Sequence, residues 1–397
     1  MKEEAQFSPT LASNRIQAID MIRGFAIFGI FLVNMPSFNS PVLYLESGSW
    51  WDAPLDRGTE TFIDIFAQAS FYTLFSFLFG FGMVMFKERA IEKGYSFFPL
   101  VGRRLLALLL FGMVHAFLIW HGDILISYAI VGAIFLLFHR TSPPYLLSLA
   151  LLMIFVPSIF LFCLLLIVYL SDSNGVGITL FGNGVNHSLE VYRSGTFWDI
   201  TQQRIQDWYY VNNLDNALLL ILSLLPMFIL GAYIAKKKWF HSSSKHRKPL
   251  RNLLIISLVI GLPIKLLPYY ADKNVATEYL QDSLGGPAMA IFYATAIMLL
   301  SDNAVMKKVL SPLAAVGRLS LSNYLFQSVV CTLIFYSYGF GLYGSIRPFY
   351  GLLLTILIFI IQIGLSKLWI KYFRFGPIEW LWRSLTYNKK QPIKVRG

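Results

Sequence analysis

The sequence predicts an all-α polytopic membrane protein, with about ten transmembrane helices and both the N and C termini cytoplasmic. Three observations carry that expectation. The 397 residues are 56% hydrophobic and only 14% charged, against roughly 25% charged in soluble domains. The apolar residues gather into runs near the ~20 that a helix needs to cross a bilayer. The 33 lysines and arginines are divided unevenly between the two sides. With the N-terminus inside, only Arg57, Arg193, Arg204, Lys265, Lys273 and Arg347 fall on the outer side. That is the positive-inside pattern. The net charge of +12 therefore reads as a topology signal and a fit to anionic lipid headgroups, not as a nucleic-acid footprint. The expected location is a bacterial plasma membrane, crossed many times.

Residues 1–14 form a polar cytoplasmic segment, and 15–235 hold the first half of the bundle. The first span, 19–36, carries Asp20 and Arg23, which share a helix face and can pair. Asn34 follows Arg23 by close to three turns, so it points the same way about 16 Å further along. Met35-Pro36-Ser37-Phe38 offers no small-x-small cleavage site, so the span is expected to stay. The second span, 62–86, is rich in phenylalanine, and Gly80 and Gly82 allow close helix approach. Spans 104–120 and 123–138 are short and meet at a tight corner. Span 145–170 leads into the longest outer segment, 171–215. There Trp198, Ile205, Trp208 and Tyr209 recur at helical spacing. That pattern predicts an amphipathic helix on the outer face, either an interfacial anchor or a lid over an acceptor site.

After span 216–235, the polybasic stretch 236–251 links the first half to a second, 252–370. The second half holds spans 252–270, 286–301, 312–336 and 348–370. Arg318, Ser320, Ser322 and Asn323 interrupt span 312–336, and with Gln327 they form a polar stripe that should avoid lipid. In 371–397, Gly376-Pro377 breaks the helix. Ile378, Leu381, Trp382 and Leu385 then predict a short interfacial helix, followed by a basic tail without expected structure. Glu379 stands four residues before Arg383, an arrangement worth about 0.3–0.5 kcal/mol as a surface pair.

The strongest chemical candidate is Trp120-His121-Gly122-Asp123, at the outer end of the third span. An imidazole beside a carboxylate suits general base catalysis, because the acid orients the ring and stabilises its charged form. The same residues also suit a plain helix corner in which Asp123 caps the next span. His115, mid-span, reads as a packed core histidine. No metal motif appears, and Cys163 and Cys331 lie inside apolar runs without ligand spacing. On the cytoplasmic side, Arg15, Arg23, Arg103, Arg104 and Arg318 can converge with Lys87. Guanidinium clusters suit a diphosphate-bearing donor such as acyl-CoA. Arg23 and Arg318 are the strongest of these, since each sits near a span boundary.

R-x-x-x-x-D-x-x-R-G from Arg15 to Gly24, with Val33-Asn34 ten residues on, resembles the opening helix of the transmembrane acyltransferase superfamily. That group includes heparan-alpha-glucosaminide N-acetyltransferase. Within it, the chain is most similar to the YeiB-like family, domain of unknown function 418. T-L-F-S-F-L-F-G-F-G (Thr73 to Gly82), W-H-G-D-I-L (Trp120 to Leu125), G-R-L-S-L-S-N-Y-L-F-Q-S (Gly317 to Ser328) and G-P-I-E-W-L-W-R (Gly376 to Arg383) continue the resemblance along the chain. It implies transfer of an acyl group from a cytoplasmic donor, such as acyl-CoA, to an extracytoplasmic glycan, lipid or small molecule. Asn34 matches the asparagine of the lysosomal enzyme's V-N pair. The segment comparable to that enzyme's histidine-bearing first luminal loop, Ser47 to Asp52, has no histidine. His121 would stand in, with Asp123 and Asn34 beside it, and Arg15, Arg23 and Arg318 holding the donor. Membrane lipids and the acceptor are the expected partners, and homo-oligomerisation stays open. The alternative is a transporter or flippase of an amphipathic molecule, with its site along the stripe from Arg318 to Gln327.

Overall fold

The computed structural model describes residues 16–45, 50–171, 182–241 and 243–395. Arg15 and segment 1–14 lie outside them. The described residues form sixteen α-helices and no named strand. Helix α1 spans Gln17–Asn39, α2 Pro54–Phe66 and α3 Ser70–Glu92. Helices α4 (Phe97–Val114) and α5 (Leu125–Phe135) flank the short corner. Helix α6 is Pro143–Ser171, and α7 (Gly182–Ser194) and α8 (Phe197–Asn212) make the long segment after it. Helices α9 (Leu214–Lys236), α10 (Arg247–Tyr270), α11 (Val275–Leu280) and α12 (Gly286–Leu300) follow. The chain closes with α13 (Ala304–Arg318), α14 (Ser320–Phe335), α15 (Pro348–Tyr372) and α16 (Pro377–Tyr387). Eight helical stretches are long and apolar enough to cross a membrane, and two shorter apolar ones, Leu125–Phe138 and Ser320–Phe335, lie among them. The protein is an all-α polytopic membrane protein.

The expected span 312–336 is broken at Leu319, which leaves α13 and α14 as separate helices. The break exposes the first amides of α14, and helix starts need acceptors for them. Glu379 supplies one. Its carboxylate accepts from the backbone N–H of Leu321 at 2.7 Å and of Ser322 at 3.0 Å, and from the Ser322 hydroxyl. Glu379, expected on the surface beside Arg383, serves as a half-buried cap on α14. Arg383 lies over Phe375, 4.5 Å from the ring centre. Burial raises the Glu379 pKa above the usual carboxylate range, against the hydrogen bonds that favour the ion.

Helix α16 packs on α4 as well. Arg104 lies flat against Trp382, 3.6 Å from its ring centre, and Trp382 Nε1 donates to the Arg104 carbonyl at 2.8 Å. The basic tail is not loose where it is described. Asn388 ends α16 in the left-handed conformation (φ 49). The chain then folds back, so that Val395 N–H bonds the Tyr372 carbonyl and Trp380 Nε1 the Gln391 carbonyl.

The two halves of the chain share one core. Helix α1 lies against α13 so closely that a Cβ on Gly317 would sit 1.9 Å from the Asp20 carbonyl oxygen. A Cβ on Gly24 would sit 2.0 Å from the Leu313 carbonyl. Small residues let membrane helices touch backbone to backbone. Asp20 is 3% exposed at this contact and pairs with Arg23 at 3.4 Å, as the three-residue spacing implied. The start of α1, the α13–α14 break and α16 therefore gather at one end of the bundle. The α14 stripe is closed by α15. Asn323 Nδ2 donates to Ser366 Oγ at 3.0 Å, Gln327 Nε2 to Gln362 Oε1 at 2.9 Å, and Gln362 Nε2 to the Asn323 carbonyl at 2.9 Å.

Gly317→Ala should destabilise the protein by about 1–3 kcal/mol through overpacking. Gly364→Ala, with open space around the new methyl, should be neutral or slightly stabilising. Thermal unfolding in detergent compares them, and equal melting temperatures would contradict the backbone contact.

Candidate functional site

At the opposite end of the bundle, the α4–α5 corner holds both histidines of interest. The last turn of α4 widens into a π-helical turn over His115–Ile119. Such turns are rare and often mark functional positions. The turn places His115 inward, fully buried. His115 Nδ1 lies 2.8 Å from Asp123 Oδ1, and His115 Nε2 lies 2.8 Å from Ser328 Oγ on α14. The other Asp123 oxygen accepts from the Ile126 N–H at 2.8 Å and caps α5. The structure therefore gives Asp123 to His115, where the sequence suggested His121. The reason is steric. Gly122 folds the chain so tightly over Trp120 that a Cβ there would meet the indole at 2.1 Å. Asp123 turns into the bundle and His121 turns away from it.

His121 meets different partners. Its Nε2 lies 3.4 Å from Ser37 Oγ near the end of α1. Its Nδ1 lies 3.6 Å from Asp207 Oδ2 on α8. Asp207 is 1% exposed and is fixed by three donors. The hydroxyls of Tyr44 and Tyr192 donate to it at 2.5 and 2.6 Å, and Gln203 Nε2 at 2.7 Å. Burial lowers the His121 pKa below the ordinary imidazole range, and the Asp207 charge opposes that shift. Burial also raises the Tyr44 and Tyr192 hydroxyl pKa values, so both stay protonated donors. Phe38 stacks on Trp120 with ring centres 4.0 Å apart. Phe38 follows Ser37 and Trp120 precedes His121 in sequence, so this ring contact holds Ser37 near His121.

Ser37 also lines a cleft of about 1190 Å³ between α1, α2, α10, α11 and α15. Leu32, Val33, Met35 and Leu352 give the cleft an apolar part. Trp50, Trp51, Arg57, Glu60 and Lys273 add aromatic and charged side chains to its lining. His121, 5% exposed, is not on the cleft wall. Asn34, half-buried on α1, makes no hydrogen bond to His121 or Asp123 among the described residues. The serine one turn later takes that place. Arg23 and Arg318 sit at the other end of α1, beside the α13 contact.

Positions 172–181 of the segment 171–215 lie outside the described residues. Of the face predicted to meet the membrane surface, Trp198, Ile205 and Tyr209 are exposed, at 70%, 46% and 64%, whereas Trp208 is half-buried edge-on to Phe117. The opposite face of α8 carries Ile200, Gln203, Arg204 and Asp207, all buried over the corner. This polar face was the signal missed. Gln203 and Asp207 stand at i and i+4, and Thr196-Phe197-Trp198-Asp199 is a capping box that starts the helix.

The chain is thus a multi-spanning helical protein that sets Ser37, His121 and the buried Asp207 next to one another, with Ser37 on the wall of a large cleft. The chain belongs to the YeiB-like DUF418 family, whose description is "Protein of unknown function (DUF418)". That description matches residues 234–389. The chain is 41% identical to the uncharacterized protein YxaH of Bacillus subtilis (strain 168), over 98% of both chains. It is 31% identical to the uncharacterized protein YeiB of Escherichia coli (strain K12), over 94% of this chain and 97% of that one. An uncharacterized 39.9 kDa protein in the amylase 3′ region of Bacillus acidopullulyticus is 29% identical over 98% of both chains.

His115→Ala should cost about 3–5 kcal/mol, because it strips a buried carboxylate of its ring partner. Ser328→Ala should cost about 1–3 kcal/mol. Denaturation in mild detergent measures both, and parent-like stability of His115→Ala would show that the corner does not depend on this pair.

Proposed function

We propose that this protein is a membrane-embedded acyltransferase. It passes an acyl group to the hydroxyl of an amphipathic acceptor bound in the cleft, an extracytoplasmic glycan, lipid or small molecule. The observation that supports this reading is the line from Ser37 through His121 to Asp207. Asp207 Oδ2, 3.6 Å from Nδ1, favours the proton on that nitrogen, which would leave Nε2, 3.4 Å from Ser37 Oγ, as the lone-pair nitrogen facing a residue of the cleft wall. A neutral imidazole held this way is a general base at working pH. The cleft suits an acceptor with an apolar part and a polar head, and its volume exceeds that of an ordinary small-molecule pocket of about 300–1,000 Å³. Transport along the α14 stripe has less support, since Asn323, Gln327, Gln362 and Ser366 already bond one another.

In this reading both termini are cytoplasmic, His121 and the cleft face outward, and the membrane is a bacterial plasma membrane. The acyl donor, an acyl-CoA, meets the cytoplasmic end, where Arg23 and Arg318 take its phosphates. Arg15 would add a third cation from outside the described residues. From Asp20 to Ser37, α1 runs about 26 Å, close to the ~30 Å of a bilayer core. The acyl group therefore travels along α1 to reach the cleft.

Trp198→Cys, at an exposed position on α8 and in a background with Cys163 replaced, tests the orientation. It should react with an impermeant maleimide added outside intact cells, and labelling only after the membrane is opened would reverse the topology. His121→Ala should lower acyl transfer by roughly 10²–10⁴-fold with the fold intact. The reactive species is the neutral ring, so activity should rise with pH. Because burial depresses the His121 pKa, the midpoint of that rise should lie below the usual imidazole value near ~6.5. Asp207→Asn should be slower and should move the midpoint lower still, since the Asp207 charge raises it. A midpoint unmoved by Asp207→Asn would mean that the carboxylate does not act through His121.

A further inference from the structure

We infer that Ser37 is a nucleophile that carries the acyl group covalently between donor and acceptor. This rests on the acyl-transfer reading and deepens it. Ser37 lines the cleft, whereas His121 stands behind it, 5% exposed and off the cleft wall. Any acceptor in the cleft meets the serine hydroxyl first. The hydroxyl in line with Nε2 is Ser37 Oγ at 3.4 Å, with Asp207 at 3.6 Å from the far nitrogen. Serine, imidazole and carboxylate in that order form the nucleophile–base–orienter arrangement that activates a weak hydroxyl, with spacings typical of an enzyme before substrate tightens them. The same arrangement recurs on unrelated folds and is recognised by geometry.

A second set in the same protein gives the contrast. Ser328, His115 and Asp123 are joined at 2.8 Å throughout. All three are buried, at 1%, 0% and 7% exposure, and none lines the cleft. That set has better spacing but no access, and it ties α14 to the corner. Access distinguishes Ser37.

In the first step, Ser37 Oγ attacks the thioester carbonyl and its proton passes to His121 Nε2. The carbon–sulfur bond breaks, the leaving thiolate takes that proton, and an ester remains on Ser37. In the second step, an acceptor hydroxyl in the cleft gives its proton to Nε2 and attacks the ester carbonyl. The bond to Ser37 Oγ breaks, and the serine recovers its proton from His121. No electrons are gained or lost overall.

The test uses the full-length purified protein and a fluorophosphonate probe, which reports on an activated serine without any acyl donor. Mass spectrometry should place one equivalent on the peptide holding Ser37. Ser37→Ala and His121→Ala should each lose it by at least about 10²-fold, while Ser328→Ala should keep it. Long-chain acyl-CoA should then leave an acyl group on Ser37. On Ser37→Cys it should leave a thioester that neutral hydroxylamine removes. Probe on another residue, or none at all, overturns the proposal. So does a Ser37→Ala protein that transfers acyl groups at the parent rate while His121→Ala does not, and that result would leave one-step transfer standing. Probe on Ser37 with no transfer from acyl-CoA to any acceptor keeps the nucleophile and removes the donor assignment.

Discussion

A carboxylate buried among aromatic rings must be fully partnered, or it costs more than the fold can supply. Asp207 is such a group, and its partners draw together parts of the chain far apart in sequence. Tyr44 comes from the turn after α1, Tyr192 from α7 and Gln203 from α8 itself. Satisfying one carboxylate thus seats the α7–α8 segment on the α4–α5 corner. It also presents the remaining edge of Asp207 to His121. The cover over the corner and the carboxylate beside the imidazole have the same origin.

The opposite end is held by equally specific means. Glu379 caps α14 and Trp382 lies on Arg104, so α16 fastens the start of α14, left open by the break at Leu319, to α4. Asp20 and Arg23 sit where α1 and α13 touch through backbone. Rigid anchoring at that end fixes the direction of α1, and that direction decides where Ser37 lies some five turns later. Pro36 removes one backbone donor just before Ser37, and Ser40 returns a bond to the Pro36 carbonyl at 2.8 Å. The helix therefore stays ordered at the point where its side chain must be placed.

Much of the fold was legible from hydropathy, because length and apolarity decide what crosses a bilayer. Asp20 with Arg23 was legible for a local reason, since three residues on a helix fix proximity. The corner at Gly122 was legible, but not which carboxylate each histidine takes. That choice depends on Trp120 filling the space beside Gly122 and on a helix some eighty residues away. Asp207 could not be assigned to His121 from spacing alone. The aromatic face of α8 dominated its pattern, while the site uses the polar face behind it. Asn34 drew attention through resemblance. Ser37, on the next turn, had no motif to mark it, and its place shows only in the fold, where Phe38 packs on Trp120 and the Ser37 hydroxyl comes within 3.4 Å of His121.

In the proposed transfer step His121 and Asp207 act as one unit. A double-mutant cycle on acyl transfer, with His121→Ala, Asp207→Asn and the two combined, measures that directly. Groups that act as a unit are strongly non-additive. The predicted result is a double variant about as slow as His121→Ala alone, because the carboxylate has no ring left to orient. Losses that multiply would show Asp207 working independently of His121 and would contradict the account.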